Sequence, residues 1–462
     1  MNIMDSTIVN TALPAIARQF HTTPTAADWV VIGYLLSLAI WIPASGWVGD
    51  RIGTKTTFLF ALLLFTLSSV LCGLATSLNM LVIFRVIQGI GGGMLAPVGQ
   101  AMLFRAFPPE RRAQASSILM LATVLAPATG PVIGGLLVDQ LSWRWVFFVN
   151  VPIGIAAFLF GLLFLHEHRE PRAGGFDLPG FVLTGAGMAL GLYAISEGPL
   201  LGWASWQVVA SGAAGLAGIA WLVRLELSRP YPMLNFRLLG DRLFRSTNLV
   251  SFIGSAAFLG ILFVMPQFLQ EARGVSALNS GLTTFPEAIG VMLSSRLVAR
   301  LYPRIGPRRL MFTGLIVVTA AMMLLLSVGL QTNVWLIRLL LFGIGVGWAY
   351  VVLPLQAASF AGISSADTGR ASAIFNTQRQ VASAVGVAIF STILSATLLA
   401  LARAQGHVPP AEQVGAYHVT FVVAAAIALV GSFVALTIRD VDAAATMRPR
   451  TRAVVSVAPA AE

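Results

Sequence analysis

Charged residues are scarce in this chain and cysteine is almost absent. Only 10% of the 462 residues are Asp, Glu, Lys or Arg, against about 25% in soluble domains. Hydrophobic residues make up 57%, and the mean hydropathy is +0.84. The single cysteine, Cys72, excludes an intrachain disulfide framework and a cysteine-rich metal site. We expect it to serve in apolar packing.

Motifs for bound cofactors are also missing. No Gly-x-x-x-x-Gly-Lys-Ser/Thr loop occurs, which argues against an ATP-driven pump. The five histidines have no spacing typical of a metal site. We therefore expect neither a metal nor another cofactor.

Apolar runs of roughly 20 residues recur along the whole chain, and each can cross a hydrocarbon core of about 30 Å as a helix. Lipid offers no partner to backbone polar groups, so the runs must be helical. The sequence predicts an all-α membrane protein with fourteen transmembrane helices. They lie near residues 1–19, 27–48, 57–76, 79–103, 114–138, 145–165, 177–197, 206–226, 247–269, 281–300, 310–329, 334–358, 370–397 and 416–437.

The positive residues are sorted by side. With both termini in the cytoplasm, 21 of the 29 Lys and Arg residues fall in cytoplasmic segments, four fall outside and four lie within spans. Lys and Arg resist translocation, so this distribution supports the span count and the orientation. It also accounts for the net charge of +11 without a nucleic-acid partner. The partner implied is the lipid bilayer.

Two features repeat at the same distance along the chain. The stretch Gly46-Trp-Val-Gly-Asp50-Arg51-Ile-Gly53-Thr-Lys55 has a relative in Arg304-Ile-Gly306-Pro-Arg308-Arg309, and Gly53 and Gly306 are 253 positions apart. The in-span arginines Arg85 and Arg338 have the same offset (338 − 85 = 253). Duplicated halves of this kind are the plan of many secondary transporters. We therefore expect a carrier and not a soluble enzyme.

The repeat also predicts the domains. They are an N-terminal six-helix bundle (1–166), two inserted helices with a cytoplasmic linker (167–246), a C-terminal six-helix bundle (247–438) and a disordered cytoplasmic tail (439–462).

Two ionisable residues within spans are candidates for proton coupling. A carboxylate in an apolar span is costly to keep charged, so Asp5 could exchange a proton. The alternative is an aspartate that caps the start of a helix. Arg85, in the segment Arg85-Val-Ile-Gln88-Gly89-Ile-Gly91-Gly-Gly93, must be paired or face water. The alternative there is a structural hydrogen-bond hub.

Two further sets could control conformational change. Charges beside helix ends could latch a cytoplasmic gate, although loop charges are usually only solvated. This gating set is Gly46, Gly49, Asp50, Arg51, Gly53, Lys55 and Arg112. In span five, a Gly-xxx-Gly face with helix-weakening prolines could form a rocking surface, or could be ordinary close packing. This second set is Pro127, Gly130, Pro131, Gly134 and Gly135.

Polar and aromatic residues within the spans are candidates for a substrate cavity. Glu287 could attract a cationic substrate or carry a second proton, or it could pair with an arginine. Arg379 could contact an anion or serve helix packing, and the aromatic residues could line a pocket or only pack. The candidates are Asn10, Tyr34, Gln88, Phe285, Glu287, Trp348, Tyr350, Gln378 and Arg379.

Taken together, these segments resemble the major facilitator superfamily, and more narrowly its fourteen-spanner drug:proton antiporter family. The resemblance covers nearly the whole chain. It is carried by five segments in order: Asp5-Ser-Thr-Ile-Val-Asn10-Thr-Ala-Leu-Pro14, Gly46 to Lys55, Arg85 to Gly93, Gly130-Pro131-Val-Ile-Gly134-Gly135, and Trp143-Arg-Trp-Val-Phe-Phe-Val-Asn150-Val-Pro152-Ile-Gly154.

The resemblance implies two six-helix bundles with two inserted central helices. It implies export of drugs or other small amphipathic compounds across the bacterial inner membrane, in exchange for protons and without a cofactor. The alternatives are a dedicated transporter of one metabolite, such as a siderophore, peptide or self-made antibiotic, and a non-transporting membrane receptor. A periplasmic adaptor protein is neither named nor excluded by the sequence.

Overall fold

The computed structural model describes residues 2–106, 129–169, 175–229, 232–363, 367–405 and 409–447. Within these ranges the chain is helical and forms no strand. Besides the short helices Phe236–Gly240, Leu325–Ser327 and Ala444–Met447, fourteen helices of 12 or more described residues follow one another. They are α1 (Asn2–Gln19), α2 (Pro24–Ile52), α3 (Thr54–Leu74), α4 (Leu78–Ala106), α5 (129–140), α6 (Trp145–Phe164), α7 (Leu178–Leu201), α8 (Trp206–Ser228), α9 (Arg242–Gln267), α10 (Ala277–Ile305), α11 (Pro307–Leu324), α12 (Val334–Ser359), α13 (Thr368–Gln405) and α14 (Pro410–Ala435).

These helices confirm the prediction of an all-α membrane protein built from fourteen main helices. Eleven of them, in the part of the chain that the structure describes, are long and apolar enough to cross a membrane. The other three are α1, α10 and α5, whose described part has 12 residues. One π-helical turn, Phe268–Ala272, extends α9. Within α6, the helix is interrupted at Val149.

The duplication is visible in the helix bounds. Helix α2 spans Pro24–Ile52 and α10 spans Ala277–Ile305, so both ends are displaced by 253 positions (277 − 24 and 305 − 52). The residue that follows each helix is a glycine with positive φ, 118° at Gly53 and 85° at Gly306. Only glycine adopts such angles without steric cost. The two glycines therefore turn the chain directly into α3 and α11, the third helices of the two halves.

A carboxylate that follows the sixth helix of each half caps the third helix. Glu167, after α6, accepts hydrogen bonds from the backbone N–H groups of Lys55 (3.0 Å) and Thr56 (3.2 Å). Asp440, after α14, accepts one from the N–H of Arg308 (3.0 Å). A carboxylate at a helix N-terminus pairs with free N–H groups and with the helix dipole. The cap thus ties the ends of each half together.

The pKa of Glu167 reflects this contact. Partial burial would raise it, but hydrogen bonds from the Thr56 hydroxyl and from the N–H groups of Lys55, Thr56 and His168 outweigh burial. As a result, the pKa of Glu167 lies below its ordinary value of 4.5.

The same region corrects one expectation. The chain from residue 439 was expected to be disordered, yet Asp440 forms the cap just described, and the Thr446 hydroxyl lies 2.7 Å from the hydroxyl of Tyr302 on α10. Side-chain contacts with α10 and α11 explain this order, and composition alone does not reveal them. Residues 448–462 lie outside the described residues.

The two halves meet at the face that carries the loop of residues 20–23, which we call the first-loop face. There the Asp139 carboxylate, at the end of α5, accepts hydrogen bonds from the N–H groups of Ala277 (3.1 Å) and Leu278 (2.8 Å) at the start of α10. The Gln270 amide donates to the carbonyl of Thr11 on α1 (3.0 Å). The opposite face carries Gly53 and Gly306, and we call it the glycine-turn face.

The inserted helices α7 and α8 pack on each other, and α7 also contacts both halves. Its Phe181 ring lies edge-on to Trp41 of α2, with centroids 5.0 Å apart. Its Ile195 carbonyl accepts a 2.7 Å hydrogen bond from the hydroxyl of Thr392 on α13. Helix α7 therefore lies across the junction of α2 and α13.

Candidate functional site

Asp5 and Arg85, the two candidates for proton coupling, form an ion pair in the structure. Arg85 Nη1 of α4 lies 2.5 Å from Asp5 Oδ2 of α1, and both side chains are 0% exposed. Arg85 Nε also donates to the Val30 carbonyl of α2 at 3.1 Å. The donors that bond to Asp5 are side chains of other helices and not the backbone of α1. An ion pair completely removed from water holds together only with further hydrogen bonds.

Two side-chain amides provide those bonds. Asn150 Nδ2 of α6 donates to Asp5 Oδ1 at 2.8 Å, and Gln88 Nε2 faces the same oxygen at 3.4 Å. Gln88 Oε1 in turn accepts from Arg85 Nη1 at 2.6 Å. Ser69 of α3 lies 3.2 Å from Asn150 Nδ2. We call Asp5, Arg85, Gln88 and Asn150 the polar cluster.

Aromatic rings cover the arginine. The Arg85 guanidinium carbon lies 3.9 Å from the ring centroid of Tyr34 and 5.7 Å from that of Phe147. A guanidinium over a ring face is attracted by the ring quadrupole. Cys72, expected to serve in apolar packing, is buried and places its sulfur 3.7 Å from Gln88 Oε1, beside the polar cluster. The cluster therefore lies among five helices of the first half and is shielded from solvent.

Chemically, hydrogen-bond donors reach both carboxylate oxygens of Asp5. Adding a proton would remove the negative charge opposite Arg85 while leaving the arginine charged. A buried arginine without a counter-ion is strongly unfavourable, so loss of the Asp5 charge would disturb the contacts of α1 and α4.

The second half repeats the helices of the first half but lacks the polar cluster. At the same 253-residue offset, Asp5 corresponds to Phe258 and Gln88 to Leu341. Arg338, the counterpart of Arg85, stacks on Trp335 at 4.7 Å. No ion pair of Arg338 occurs among the residues that the structure describes. The candidate coupling site is therefore present in one copy of the duplicated fold.

The gating set lies away from the polar cluster, at the glycine-turn face. Gly53 forms the turn, and a Cβ added there would overlap the Glu167 carboxylate. Lys55 Nζ donates to the Leu162 carbonyl of α6 at 2.9 Å. Gly46 and Gly49 lie within α2, as do Asp50 and Arg51 at its end. Arg112 lies outside the described residues.

The glycines of α5 bring three helices together. A Cβ at Gly130 or Gly134 would overlap the hydroxyls of Thr7 or Thr11 on α1, and one at Gly135 would overlap the Ala277 carbonyl of α10. In the same way, a Cβ added at Gly281 of α10 would overlap the carbonyl of Pro131. Pro127 lies outside the described residues. Helix α5 is thus held between α1 of its own half and α10 of the other.

The substrate-cavity candidates lie in different parts of the structure. Gln88 belongs to the polar cluster, and the Tyr34 ring covers its arginine. Trp348 instead stacks on Phe258, with centroids 4.4 Å apart and planes at 9°. Gln378 donates to Ser251 at 2.7 Å. The remaining candidates also lie on α1, α10, α12 and α13, and are Asn10, Phe285, Glu287, Tyr350 and Arg379.

Glu287 and Arg379 form no ion pair with each other in the part of the chain that the structure describes. Glu287 is buried, and its Oε1 has no hydrogen-bond donor among the described residues. The Arg379 guanidinium reaches Asn376 Oδ1 at 3.5 Å. Each therefore keeps hydrogen-bonding capacity that the described chain does not use.

Comparison with known proteins identifies the family of this chain. A model described as Major Facilitator Superfamily matches residues 1–387. The chain belongs to this superfamily. It is accordingly a multi-pass membrane transporter, as its apolar helices and its charge-poor composition predict.

Its relatives in the superfamily include named multidrug resistance proteins. The chain is 31% identical over 397 residues to the multidrug resistance protein B homolog of Mycobacterium tuberculosis, a match covering 85% of this chain and 73% of the relative. It is 34% identical over 356 residues to the putative multidrug resistance protein MdtD of Salmonella heidelberg, covering 77% and 72%.

Solved major facilitator structures share the fold at low identity. An auto-inhibited POT family peptide transporter superposes with a TM-score of 0.66 at 15% identity, over 95% of this chain and 96% of the other. The human organic anion transporter MFSD10 gives 0.61 at 14% identity, over 94% and 96%. At such identities these likenesses show the fold alone.

Two functional candidates escaped the sequence analysis of this major facilitator protein. Asn150 was recognised only as part of a family segment, although an amide within an apolar run is itself a signal. Asp28 was not recognised, because it lies beside a predicted loop and looks like a helix-start residue. Its burial, at 2% exposure, is apparent only in the folded structure.

Proposed function

We propose that the chain is a proton-coupled antiporter that exports drugs or other small amphipathic compounds from the bacterial cytoplasm. The observation that carries the proposal is the water-excluded Asp5–Arg85 ion pair, since ionisable residues inside a membrane are typical of proton pathways. The substrate class is supported by the names of the relatives, which are multidrug resistance proteins.

In this mechanism the proton gradient supplies the energy and no cofactor takes part. Protonation of Asp5 weakens its attraction to Arg85, so α1 and α4 change their contacts. Helix α1 also touches the α5 glycines and, through Thr11, the Gln270 amide at the end of α9. Movement of α1 would thereby reach the contact between the halves, which open alternately to the two sides.

The orientation is part of the proposal. With the glycine-turn face in the cytoplasm, the charges around Gly53 and Gly306 lie inside, as the excess of Lys and Arg requires. Both termini then lie in the cytoplasm, and the membrane is the bacterial inner membrane. The first-loop face is extracytoplasmic.

The decisive experiment measures export of a fluorescent substrate in proteoliposomes with an imposed proton gradient. We expect Asp5→Asn to abolish the gradient-driven component while leaving substrate binding measurable. Glu226→Gln is the matched control, because Glu226 is equally buried but lies on the inserted helix α8, where it accepts a hydrogen bond from the N–H of Leu234. Unchanged gradient-driven export in Asp5→Asn would contradict the proposal.

A substrate panel tests the breadth of transport. Competition among several unrelated scaffolds is expected for a multidrug exporter. Competition by one compound class only would instead indicate a dedicated metabolite transporter.

A further inference from the structure

Asp28, near the start of α2, joins the two halves at the first-loop face. Its Oδ1 accepts a hydrogen bond from Gln267 Nε2 of α9 at 3.3 Å, and its Oδ2 accepts one from the hydroxyl of Ser391 on α13. The side chain is buried. Asp28 belongs to the first half, while both of its partners belong to the second. The contact must therefore break when this face opens.

No cation neutralises Asp28 in the part of the chain that the structure describes, where the ion pairs are Arg85–Asp5, Arg229–Asp177 and Arg370–Asp367. The ionisable groups that face it through space are Glu271 and Tyr417, which bond to each other at 3.2 Å. Nearby, Arg18 of α1 acts on Glu271, and Glu197 of α7 accepts from the Trp29 indole at 3.4 Å. An ionised carboxylate in such a place is costly, whereas a protonated one is not.

The bonding partners suit a carboxyl group in either protonation state. A serine hydroxyl can donate to a carboxylate or accept from a carboxylic acid, and the Gln267 amide can donate in both cases. The polar cluster differs, because Arg85 can only donate and therefore needs an acceptor opposite it.

The repeat shows that packing does not require a carboxylate here. The residue 253 positions after Asp28 is Gly281, which lies directly against the Pro131 carbonyl of α5. Each half thus places its second helix against the fifth helix of the other half. One of these two contacts is close backbone packing, and the other contains a buried acid.

We propose that Asp28 is a second proton-binding site, which holds the first-loop face closed when it is protonated and favours opening when it ionises. With this face open, water reaches Asp28 and stabilises the carboxylate. A proton taken up from the extracytoplasmic side then allows the face to close, stays bound during closure and returns to the same side on reopening. The proton at Asp28 is therefore not the transported one. The assignment of sides rests on the proposed function; the link between protonation and closure does not.

The test measures the distance between spin labels on the first-loop face, with full-length protein in lipid nanodiscs and no substrate. Labels at Thr76→Cys and Gln331→Cys report on the two halves, because both residues are exposed in loops of this face. Cys72 is buried and stays unlabelled. Between about pH 8 and about pH 5, one linked proton changes the closed-to-open ratio by up to about tenfold per pH unit. We expect the short, closed distance to gain population as the pH falls.

Asp28→Asn should hold the short distance at pH 8 as well as at pH 5, because an uncharged side chain remains at the contact. Glu197→Gln, a neutralised acid on α7 at the same face, should keep the full pH response. If Asp28→Asn does not fold, Ser391→Ala serves instead. It retains the acid, so the pH response should persist while the closed share at pH 8 falls.

An unchanged pH response in Asp28→Asn, or no pH response in the unsubstituted chain, would overturn the inference. Loss of the response in Glu197→Gln would also count against it. Because the measurement uses neither substrate nor a proton gradient, it can succeed even if drug export fails, and it can fail while antiport is demonstrated.

Discussion

Asn150 and Asp5 are joined by a 2.8 Å hydrogen bond between α6 and α1. The bond ends on Oδ1, so it leaves Oδ2 to Arg85. The amide therefore supports the ionised carboxylate without competing with the arginine. It also ties the first and sixth helices of the first half to the same charge.

Replacing this amide should lower gradient-driven export. Asn150→Ala removes a hydrogen bond to a charged group, which contributes about 1.5–3 kcal/mol. The bond holds the Asp5 carboxylate beside Arg85, so its loss should reduce the rate of gradient-driven export by about tenfold or more. Export rates measured over a range of external pH give the profile that checks this.

Ser69→Ala is the control, because Ser69 contacts Asn150 and not Asp5. It should lower the profile far less. Equal losses in the two variants would show that the bond to Asp5 is not the cause.

The Asp5–Arg85 ion pair predicts that mutations can restore thermal stability without restoring gradient-driven export. Arg85→Met leaves Asp5 buried and uncompensated, which should cost about 3–5 kcal/mol. Adding Asp5→Asn removes the stranded charge, so the double variant should recover most of the melting temperature. It should still lack gradient-driven export. A double variant as unstable as Arg85→Met alone would contradict this account.

The sequence predicted the features that a lipid bilayer requires and missed those that depend on tertiary contacts. Span number and the repeat follow from hydropathy and motif spacing, since a bilayer allows few alternatives to long helices. Asp5 and Arg85 stood out because charge is rare in apolar runs. Their pairing across 80 positions, and the contact of Asp28 with Gln267 and Ser391, depend on how helices pack. No local pattern encodes such contacts.

Close packing between α5 and α10 should limit substitution at Gly135. A methyl group there would overlap the Ala277 carbonyl when the first-loop face is closed. Overpacking of this kind costs about 1–3 kcal/mol, so Gly135→Ala should slow export on the order of tenfold. Transport assays of Gly135→Ala and Gly191→Ala make the comparison.

Gly191 on α7 is the matched control, because a Cβ added there meets nothing within 4 Å. Similar export by both variants would remove the role assigned to this packing.

Glu287 should discriminate among substrates by charge. It is buried, and its Oε1 has no donor among the described residues, so a cationic group could provide one. We expect Glu287→Gln to reduce export of cationic dyes more than export of neutral ones. The measurement is a ratio of initial rates for the two classes. An equal reduction would exclude Glu287 as a charge selector.

The Glu167 cap should make stability depend on pH. Because its pKa is lowered on folding, its contribution is present above the ordinary value of 4.5 and is lost as the pH falls through the lower folded value. At neutral pH, Glu167→Gln should therefore melt below the unsubstituted protein, and the gap should close as the solution is acidified. Melting temperatures in detergent provide the comparison. A gap that persists at strongly acidic pH would contradict the assignment.

The position of α7 has a physical consequence for the membrane. Through Phe181 and Ile195 it touches α2 and α13, whose mutual movement would accompany opening of the first-loop face. Any lateral pressure that the surrounding lipid exerts on α7 is transmitted to the contact between α2 and α13. Acyl-chain length and bilayer tension therefore act on the moving interface itself, and the turnover rate of the transporter should depend on the lipid that surrounds it.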